Sequence, residues 1–170
     1  QILSAENGDP GPEDGIILGN DGAVYQAGWD SLVANGARIS NNSWGIGIGE
    51  QFAKGGRDPA LAHFDLSDAQ AQFDQIKPLL GTAPGGAYTG AINAARSGVL
   101  TIFAAGNDYN LNNPDAISGL AYFVPEITPN WLSVAALQRN PDTNSPNPYV
   151  ISTFSSRCGY AASFCVSAPG

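Results

Sequence analysis

The sequence predicts an α/β fold in which helices flank a parallel β-sheet. Apolar segments with the residue types of strands occur near residues 38–42, 99–105 and 131–137. Segments with apolar residues at helical spacing occur near residues 22–35 and 88–97. Because strands and helices alternate along the chain, the strands are expected to run parallel, with the helices packed on the faces of the sheet.

The strand near residues 99–105 ends abruptly in Ala104, Ala105, Gly106 and Asn107. Its apolar run has no polar alternation, which is typical of a strand buried on both faces. The small residues leave room for a ligand against the backbone, and the Asn107 amide can donate hydrogen bonds without carrying charge. This combination suits the stabilisation of a developing oxyanion. An Asn after a strand is also a common turn residue, and both interpretations stay open at this point.

The composition indicates one globular domain. The chain has 170 residues, of which 43% are hydrophobic and 13% charged, so it can bury a sizeable core. Its net charge of −8 argues against a nucleic-acid partner, whose phosphates require Lys and Arg. No apolar segment approaches the ~20 residues of a membrane span. Residues 1–5 read as an uncapped strand and residues 168–170 stop without a tail, so we expect both ends to be cuts through a longer protein and the sheet to be incomplete.

Two cysteines, Cys158 and Cys165, lie seven residues apart. They form either two buried thiols or a disulfide that closes a short loop. An acidic, lysine-poor chain with no other cysteine favours the disulfide and an oxidising compartment. Two cysteines cannot form a tetrahedral zinc site, and no histidine lies near them.

The first helix is predicted to begin after a cap at Asn20 or Asp21 and to run to about Asn35, where Gly36 gives a left-handed end. Several of its residues are expected to form a packed side, namely Val24, Tyr25, Gly28, Trp29, Leu32 and Val33. The later helix is expected to close at Gly98. Its packed residues are Tyr88, Ala91, Ile92 and Ala95.

Residues 46–86 differ in character and are interpreted as an insertion into a common core. Their one convincing helix is expected to start at Ser67, with a capping box to Gln70, and to end near Pro78. Its apolar stripe consists of Ala69, Phe73 and Ile76. The insertion either affects access to a neighbouring groove or the choice of partner, or it is a tolerated surface insertion.

The last third of the chain is predicted to contain loops and short strands. Residues 108–130 hold three prolines and are expected to be a loop. Residues 140–148 are expected to form a proline-rich turn, and short strands are expected at 149–154 and 164–167.

Three local patterns compete for a functional interpretation. The glycines at 45, 47 and 49 are similar to a dinucleotide-binding loop, but that pattern requires glycine where Glu50 stands. Gly106, Asn107 and Asp108 are similar to a block of certain esterases, but no residue separates the glycine from the asparagine. His63 has the chemistry of a general base, yet its inserted, proline-flanked position favours a surface residue.

Two predicted strands end in polar residues, one in Asn-Ser-Trp-Gly at 42–45 and the other in Ala-Ala-Gly-Asn at 104–107. In open parallel sheets, ligands bind at the carboxyl ends of the strands. If the two strands are neighbours, a groove lies between these ends. Gly45 and Gly106 would then let an extended ligand approach the backbone.

At this point the sequence resembles the subtilisin-like serine proteases (subtilases). Five motifs occur in the order found in that family: Ile-Ser-Asn-Asn-Ser-Trp-Gly at 39–45, Ala-Ala-Gly-Asn at 104–107, Trp-Leu-Ser-Val-Ala-Ala at 131–136, Phe-Ser-Ser at 154–156 and Ala-Pro-Gly at 168–170. The paired cysteines before the last motif resemble the subtilisin-like protease domains of bacterial autotransporters. The resemblance covers most of the chain except the insertion and the loops.

The resemblance implies a role for each matched residue. Asn107 takes the place of the side chain of the oxyanion hole. Residues 43–45 (Ser43, Trp44 and Gly45) take the place of the segment that lines the primary specificity pocket and pairs with the substrate backbone. Residues 104–106 form the opposite wall. The implied partner is a polypeptide substrate, and the implied location is secreted or on the bacterial cell surface.

The family's catalytic triad is absent from this sequence. Its Asp and its His-Gly-Thr motif lie upstream of a segment like residues 1–8, and its Gly-Thr-Ser motif lies downstream of Ala-Pro-Gly. No Gly-Thr-Ser occurs here, and Gly-Thr-Ala at 81–83 is not a substitute. Calcium is common in the family, but no acidic ligand set assigns a site here, so no cofactor or metal is predicted.

Two hypotheses follow from the sequence. In the first, the chain is the central part, residues 1–170, of one subtilisin-like catalytic domain of a secreted endopeptidase, and is inactive alone. In the second, it is a non-catalytic module that binds extended peptides or a partner in the same groove.

Overall fold

The fold places two helices against one face of a five-stranded mixed sheet. A computed structural model describes residues 22–45, 64–107 and 111–169 of the chain. Four α-helices are present in these ranges, namely α1 (Gly22–Ala34), α2 (Leu66–Ile76), α3 (Gly86–Arg96) and the short α4 (Leu120–Phe123). The strands are β1 (Ile39–Asn42), β2 (Leu100–Ala104), β3 (Trp131–Arg139), β4 (Tyr149–Ile151) and β5 (Cys165–Pro169).

The sheet confirms the predicted α/β architecture and adds one antiparallel strand. β1 pairs with β2, β2 with β3, and β3 with β5, all in parallel. β2 and β5 both pair with residues 133 and 134 of β3, so they lie on opposite edges of that strand. β4 runs antiparallel to the end of β3, which the predicted alternation of strands and helices did not include.

The two faces of the sheet are covered unequally. Along β2 and β3, Thr101, Phe103, Trp131, Ser133 and Ala135 are buried, while the residues between them are only half-buried. The prediction that the apolar run of β2 is buried on both faces is therefore wrong for the described structure. The fully covered face meets α1, α3 and residues 111–127.

Aromatic rings fill the centre of the covered face. Phe103 is fully buried, with its ring centroid 5.1 Å from that of Trp131 and 5.2 Å from that of Trp44. The ring centroid of Trp29 in α1 lies 6.3 Å from that of Phe103. Trp29 also packs over Gly90 of α3, where a larger residue would have no room. Phe103 therefore joins α1, β2, β3 and the segment after β1.

The C-terminal ends of α1 and α3 agree with the predictions, but the packed side of α1 differs in part. The predicted cap at Asn20 or Asp21 and the predicted strand at residues 1–5 lie outside the described residues. Gly36 has a φ of +74° and Gly98 a φ of +87°, the left-handed region that favours glycine at helix ends. Trp29 is buried as expected, whereas Val24 is 62% exposed and lies outside the packed side.

Helix α2 begins earlier than predicted. Its N-cap is Asp65, and the side chains of Asp65 and Asp68 form the capping box, with the Asp65 amide donating to the Asp68 carboxylate at 3.0 Å. The predicted box between Ser67 and Gln70 is therefore wrong, because an Asp pair two residues upstream satisfies the first backbone amides. The helix ends at Ile76, and a 3-10 turn (Lys77–Leu79) contains the predicted proline exit.

The segment predicted as a loop at 108–130 is more regular than expected where the structure describes it. It contains α4 and a 3-10 helix at Pro125–Asn130, and Leu120 and Ile127 are fully buried. Prolines at the first turn of a helix are compatible with helical structure. The number of prolines therefore predicted a longer irregular segment than the described structure has.

Candidate functional site

The carboxyl ends of β1 and β2 lie side by side. The two strands pair in parallel, with Asn42 opposite Phe103. Residues 43–45 and 104–107 therefore leave neighbouring strands at the same edge of the sheet, as the sequence predicted. The structure thus brings together every candidate substrate-binding residue and Asn107.

Residues 104–107 are held through their backbone. The Ala105 amide donates to the Val134 carbonyl at 2.9 Å, and the Ser156 amide donates to the Gly106 carbonyl at 3.0 Å. Gly106 has a φ of +115°, a conformation that residues with a Cβ rarely adopt. After this turn Asn107 is exposed, so its amide is placed at the surface by a fixed backbone.

Residues 43–45 are anchored by neighbouring side chains. The ring of Trp44 packs edge-to-face on Phe103 and its centroid lies 5.6 Å from that of Tyr25. The buried Asn42 amide group donates to the Ile102 carbonyl at 3.1 Å, which ties the end of β1 to β2. The Trp44 side chain therefore packs toward the core, whereas Ser43 remains exposed at the surface.

A buried carboxylate lies directly against this segment. One oxygen of Asp115, Oδ2, lies closer to the ideal Cβ position of Gly45 than a real Cβ would tolerate. The other, Oδ1, accepts a hydrogen bond from the Ser118 amide at 2.7 Å, and Asp115 is only 1% exposed. The sequence interpretation missed this residue. The one local signal is the spacing of Asp115 and Ser118, three residues apart, which permits the Asp side chain to accept a hydrogen bond from a backbone amide in a turn. That spacing does not indicate that the carboxylate is buried.

Tyr160 fixes the backbone that carries Asp115. Its one hydroxyl proton is shared between the Pro114 and Asp115 carbonyl oxygens, each 3.1 Å from the hydroxyl oxygen. Its amide donates to the side-chain oxygen of Asn113 at 2.8 Å. Burial, with a smaller contribution from the negative charge of Asp115, raises the pKa of Tyr160 well above its usual range. The same two causes raise the pKa of Tyr88 in α3.

The Cys158–Cys165 disulfide is present and spans the 3-10 helix that carries Tyr160. The two Cα atoms are 5.7 Å apart, and the bridge joins the start of this helix (Gly159–Phe164) to the start of β5. The disulfide expected from the sequence therefore closes a loop that contacts the segment beside Gly45.

Helix α2 is attached to the same region. The Asn113 amide group donates to the Phe64 carbonyl, and the Gln72 side chain accepts from the Ala116 amide at 2.9 Å. Phe64, Ala69 and Leu111 form a small buried cluster. Residues 64–76 of the predicted insertion are thus packed against residues 111–116, next to the site.

Several of the competing patterns fall outside the described residues. Residues 46–50, which follow Gly45 in the glycine run, His63 and Asp108 are among them. Within the described ranges, no group of three or more His, Cys, Asp or Glu side chains is arranged to hold a metal ion. No helix in the described parts of the chain is long and apolar enough to cross a membrane.

Comparison with known proteins gives the family. The model described as the subtilase family matches residues 18–170, and the chain belongs to this family. Two proteins of Serratia marcescens, both named extracellular serine protease, are 32% identical over 159 and 161 residues, covering 84% of this chain. Serotype-specific antigen 1 of Mannheimia haemolytica is 26% identical over 153 residues, covering 87% of this chain. The chain spans only 14%, 14% and 13% of the length of these relatives.

Proposed function

We propose that residues 1–170 are the central part of the catalytic domain of a secreted subtilisin-like serine endopeptidase, with an insertion at about 46–86. One observation carries the proposal: the adjacent parallel strands β1 and β2 deliver residues 43–45 and 104–107 to the same sheet edge. In a subtilase, these are the segments that bind the substrate and stabilise the oxyanion.

The chemistry assigned to this edge is peptide-bond hydrolysis. Attack on a peptide carbonyl places negative charge on its oxygen, and a neutral amide donor held in position stabilises that charge. Asn107 is the donor in this proposal. The glycine before it and the two backbone hydrogen bonds of residues 105 and 106 supply a fixed orientation. An extended substrate adds as a strand between residues 43–45 and 104–106.

The nucleophile and the base are assigned to other parts of a longer protein. The sequence contains neither His-Gly-Thr nor Gly-Thr-Ser. The half-buried face of the sheet supports the same proposal, because its alternate apolar residues suit packing by further segments. These residues are Leu100, Ile102, Leu132 and Val134. The chain by itself is therefore expected to be inactive.

A location outside the cytoplasm is supported by two findings. The Serratia marcescens relatives are named extracellular, and the Cys158–Cys165 disulfide suits an oxidising compartment. We assign this chain to a protein that is secreted or displayed on the bacterial cell surface.

The test is replacement of Asn107 by Ala in the longer protein that carries this chain, with steady-state kinetics on a peptide substrate. Removal of one oxyanion-hole donor typically lowers turnover by about 10²–10³-fold, a magnitude that comes from subtilisin itself. The expected result is a loss of kcat of this size with little change in KM. Asn144→Ala, in an exposed turn, is the matched control and should leave kcat unchanged. An unchanged kcat for Asn107→Ala would refute the assignment.

The alternative is a non-catalytic module that binds extended peptides in the same groove. It requires that the longer protein lack a Gly-Thr-Ser motif and hydrolyse no peptide. Sequencing beyond residue 170 distinguishes the two proposals, because a Gly-Thr-Ser within a few dozen residues supports the protease. Peptidase activity that copurifies with the isolated 170-residue chain would contradict the assignment of the triad to other segments.

A further inference from the structure

The carboxylate of Asp115 is unusual because it is almost completely buried and yet lies beside Gly45, a residue of the candidate substrate-binding segment. A buried charge is tolerated only when polar partners replace water. The Ser118 amide supplies one such partner at 2.7 Å. The carboxylate is therefore held by its own loop through Ser118 and lies against Gly45, the last residue of the segment 43–45.

Contact with Gly45 is possible only because this residue has no side chain. The Oδ2 oxygen of Asp115 lies closer to the ideal Cβ position than a real Cβ would tolerate. A residue with a Cβ at position 45 would displace the carboxylate or move its own backbone. The present position of the Asp115 carboxylate therefore requires glycine at residue 45.

The backbone of Asp115 cannot shift easily to relieve such a conflict. The Tyr160 hydroxyl donates to its carbonyl and to that of Pro114. One residue later, the Ala116 amide donates to the Gln72 side chain of α2. Asp115 is thus fixed from the disulfide-closed loop on one side and from α2 on the other.

We propose that Asp115 is a positioning residue that fixes the backbone of residues 43–45 for substrate binding. The expected effect on KM rests on the proposed function. The expected effect on the backbone of residues 43–45 does not. Since Asp115 acts on the segment that pairs with substrate, its loss weakens substrate binding and raises KM. Loss of Asn107, on the neighbouring segment, is instead expected to lower kcat. Kinetic measurements can therefore distinguish the roles of the two residues.

A double-mutant cycle between Asp115→Ala and Gly45→Ala tests the proposal in the longer protein. Asp115→Ala is expected to raise KM by about tenfold, in line with the loss of a hydrogen-bonded charged group. Gly45→Ala should raise KM by a similar factor, because its Cβ displaces the same carboxylate. In the Asp115→Ala background the space beside residue 45 is empty, so Gly45→Ala should add less than about twofold. Asp68→Ala removes another buried carboxylate, the one that caps α2, and should show no such coupling to Gly45→Ala. Equal effects of Gly45→Ala in both backgrounds, or an unchanged KM for Asp115→Ala, would overturn the proposal.

Hydrogen exchange separates this proposal from the proposed function. Amide exchange in the peptide that contains residues 43–45 should be faster in Asp115→Ala than in the wild-type protein, and unchanged in Asp68→Ala. This measurement decides the role of Asp115 even if the longer protein hydrolyses no peptide, a result that would refute only the proposed function. If Asp115→Ala does not fold, Asp115→Asn, which keeps the size of the side chain, is measured in the same way. Unchanged exchange in residues 43–45 of that variant would contradict the inference.

Discussion

The side-chain oxygen of Gln72 accepts a hydrogen bond from the backbone amide of Ala116 at 2.9 Å, and both residues are buried. This contact joins helix α2, which lies in the predicted insertion, to the loop that carries Asp115. The buried side of α2 therefore packs against the loop beside the candidate site.

Replacement of Gln72 by Ala should destabilise the protein by about 1–3 kcal/mol, since the Ala116 amide would stay buried without an acceptor. The free energy of unfolding in urea measures the effect. Gln75→Ala, on the exposed side of the same helix, is the matched control and should change stability little. Equal effects of the two substitutions would show that the Gln72 contact contributes nothing to stability.

The hydroxyl groups of Ser118 and Ser133 form a second buried pair, 2.6 Å apart and fully shielded from solvent. Ser118→Ala or Ser133→Ala alone should cost about 1–3 kcal/mol, because each leaves the other hydroxyl without its partner. The double variant should cost less than the sum of the two single variants. Strict additivity in denaturant unfolding would contradict a direct interaction between the two hydroxyls.

The Cys158–Cys165 bridge closes a loop with a sequence separation of seven. Chain-entropy arguments for a loop of this size give a stabilisation of about 2–3 kcal/mol, which the paired variant Cys158→Ser with Cys165→Ser should lose. Intact mass with and without reductant provides a direct check, since reduction adds two hydrogen atoms. Detection of two free thiols before reduction would refute the bridge.

Stability should fall at alkaline pH because of Tyr160. Burial, with a smaller contribution from the charge of Asp115, raises the pKa of this tyrosine in the folded protein. Its pKa in the unfolded chain is about 10. Above that pH the unfolded state releases a proton that the folded state retains, so the free energy of unfolding decreases as pH rises.

The Tyr160→Phe variant should reduce this decrease without abolishing it, because Tyr88 has a pKa raised in the same direction. Urea unfolding at a series of pH values above about 9 measures the slope. Tyr149→Phe, at an exposed position, is the control and should retain the wild-type slope. A Tyr160→Phe slope equal to that of the wild type would contradict the linkage.

The parts of the fold that were predicted correctly are those in which local chemistry and tertiary packing agree. Gly36 and Gly98 mark helix ends in the sequence and have positive φ in the structure. The polar ends of β1 and β2 were expected to meet, and the parallel pairing confirms that the strands are neighbours. Local signals were sufficient for these features: glycine at a helix end favours positive φ, and alternating strands and helices favour a parallel sheet.

The features that were missed depend on long-range partners. Asp115 is an ordinary loop residue in the sequence and becomes part of the site only through Gly45 and Tyr160, which lie 70 residues before it and 45 residues after it. The cap of α2 was assigned to Ser67 because a Ser-x-x-Gln pattern matches the motif, but Asp65 and Asp68 form the box in the structure. The packing of residues 111–127 likewise requires the covered sheet face, which no local pattern specifies.

The packing of tryptophans around Phe103 makes the intrinsic fluorescence of the protein a probe of the candidate site. The chain contains three tryptophans, and the indole rings of Trp29, Trp44 and Trp131 all lie within 6.3 Å of the Phe103 ring, measured between centroids. Tryptophan fluorescence from this chain therefore originates in one cluster, near the carboxyl end of β2, the strand that leads to Asn107. Trp44 directly precedes Gly45, so a peptide that binds along residues 43–45 should change the emission spectrum without any added label. Occupancy of the groove can thus be followed in variants that have lost all turnover.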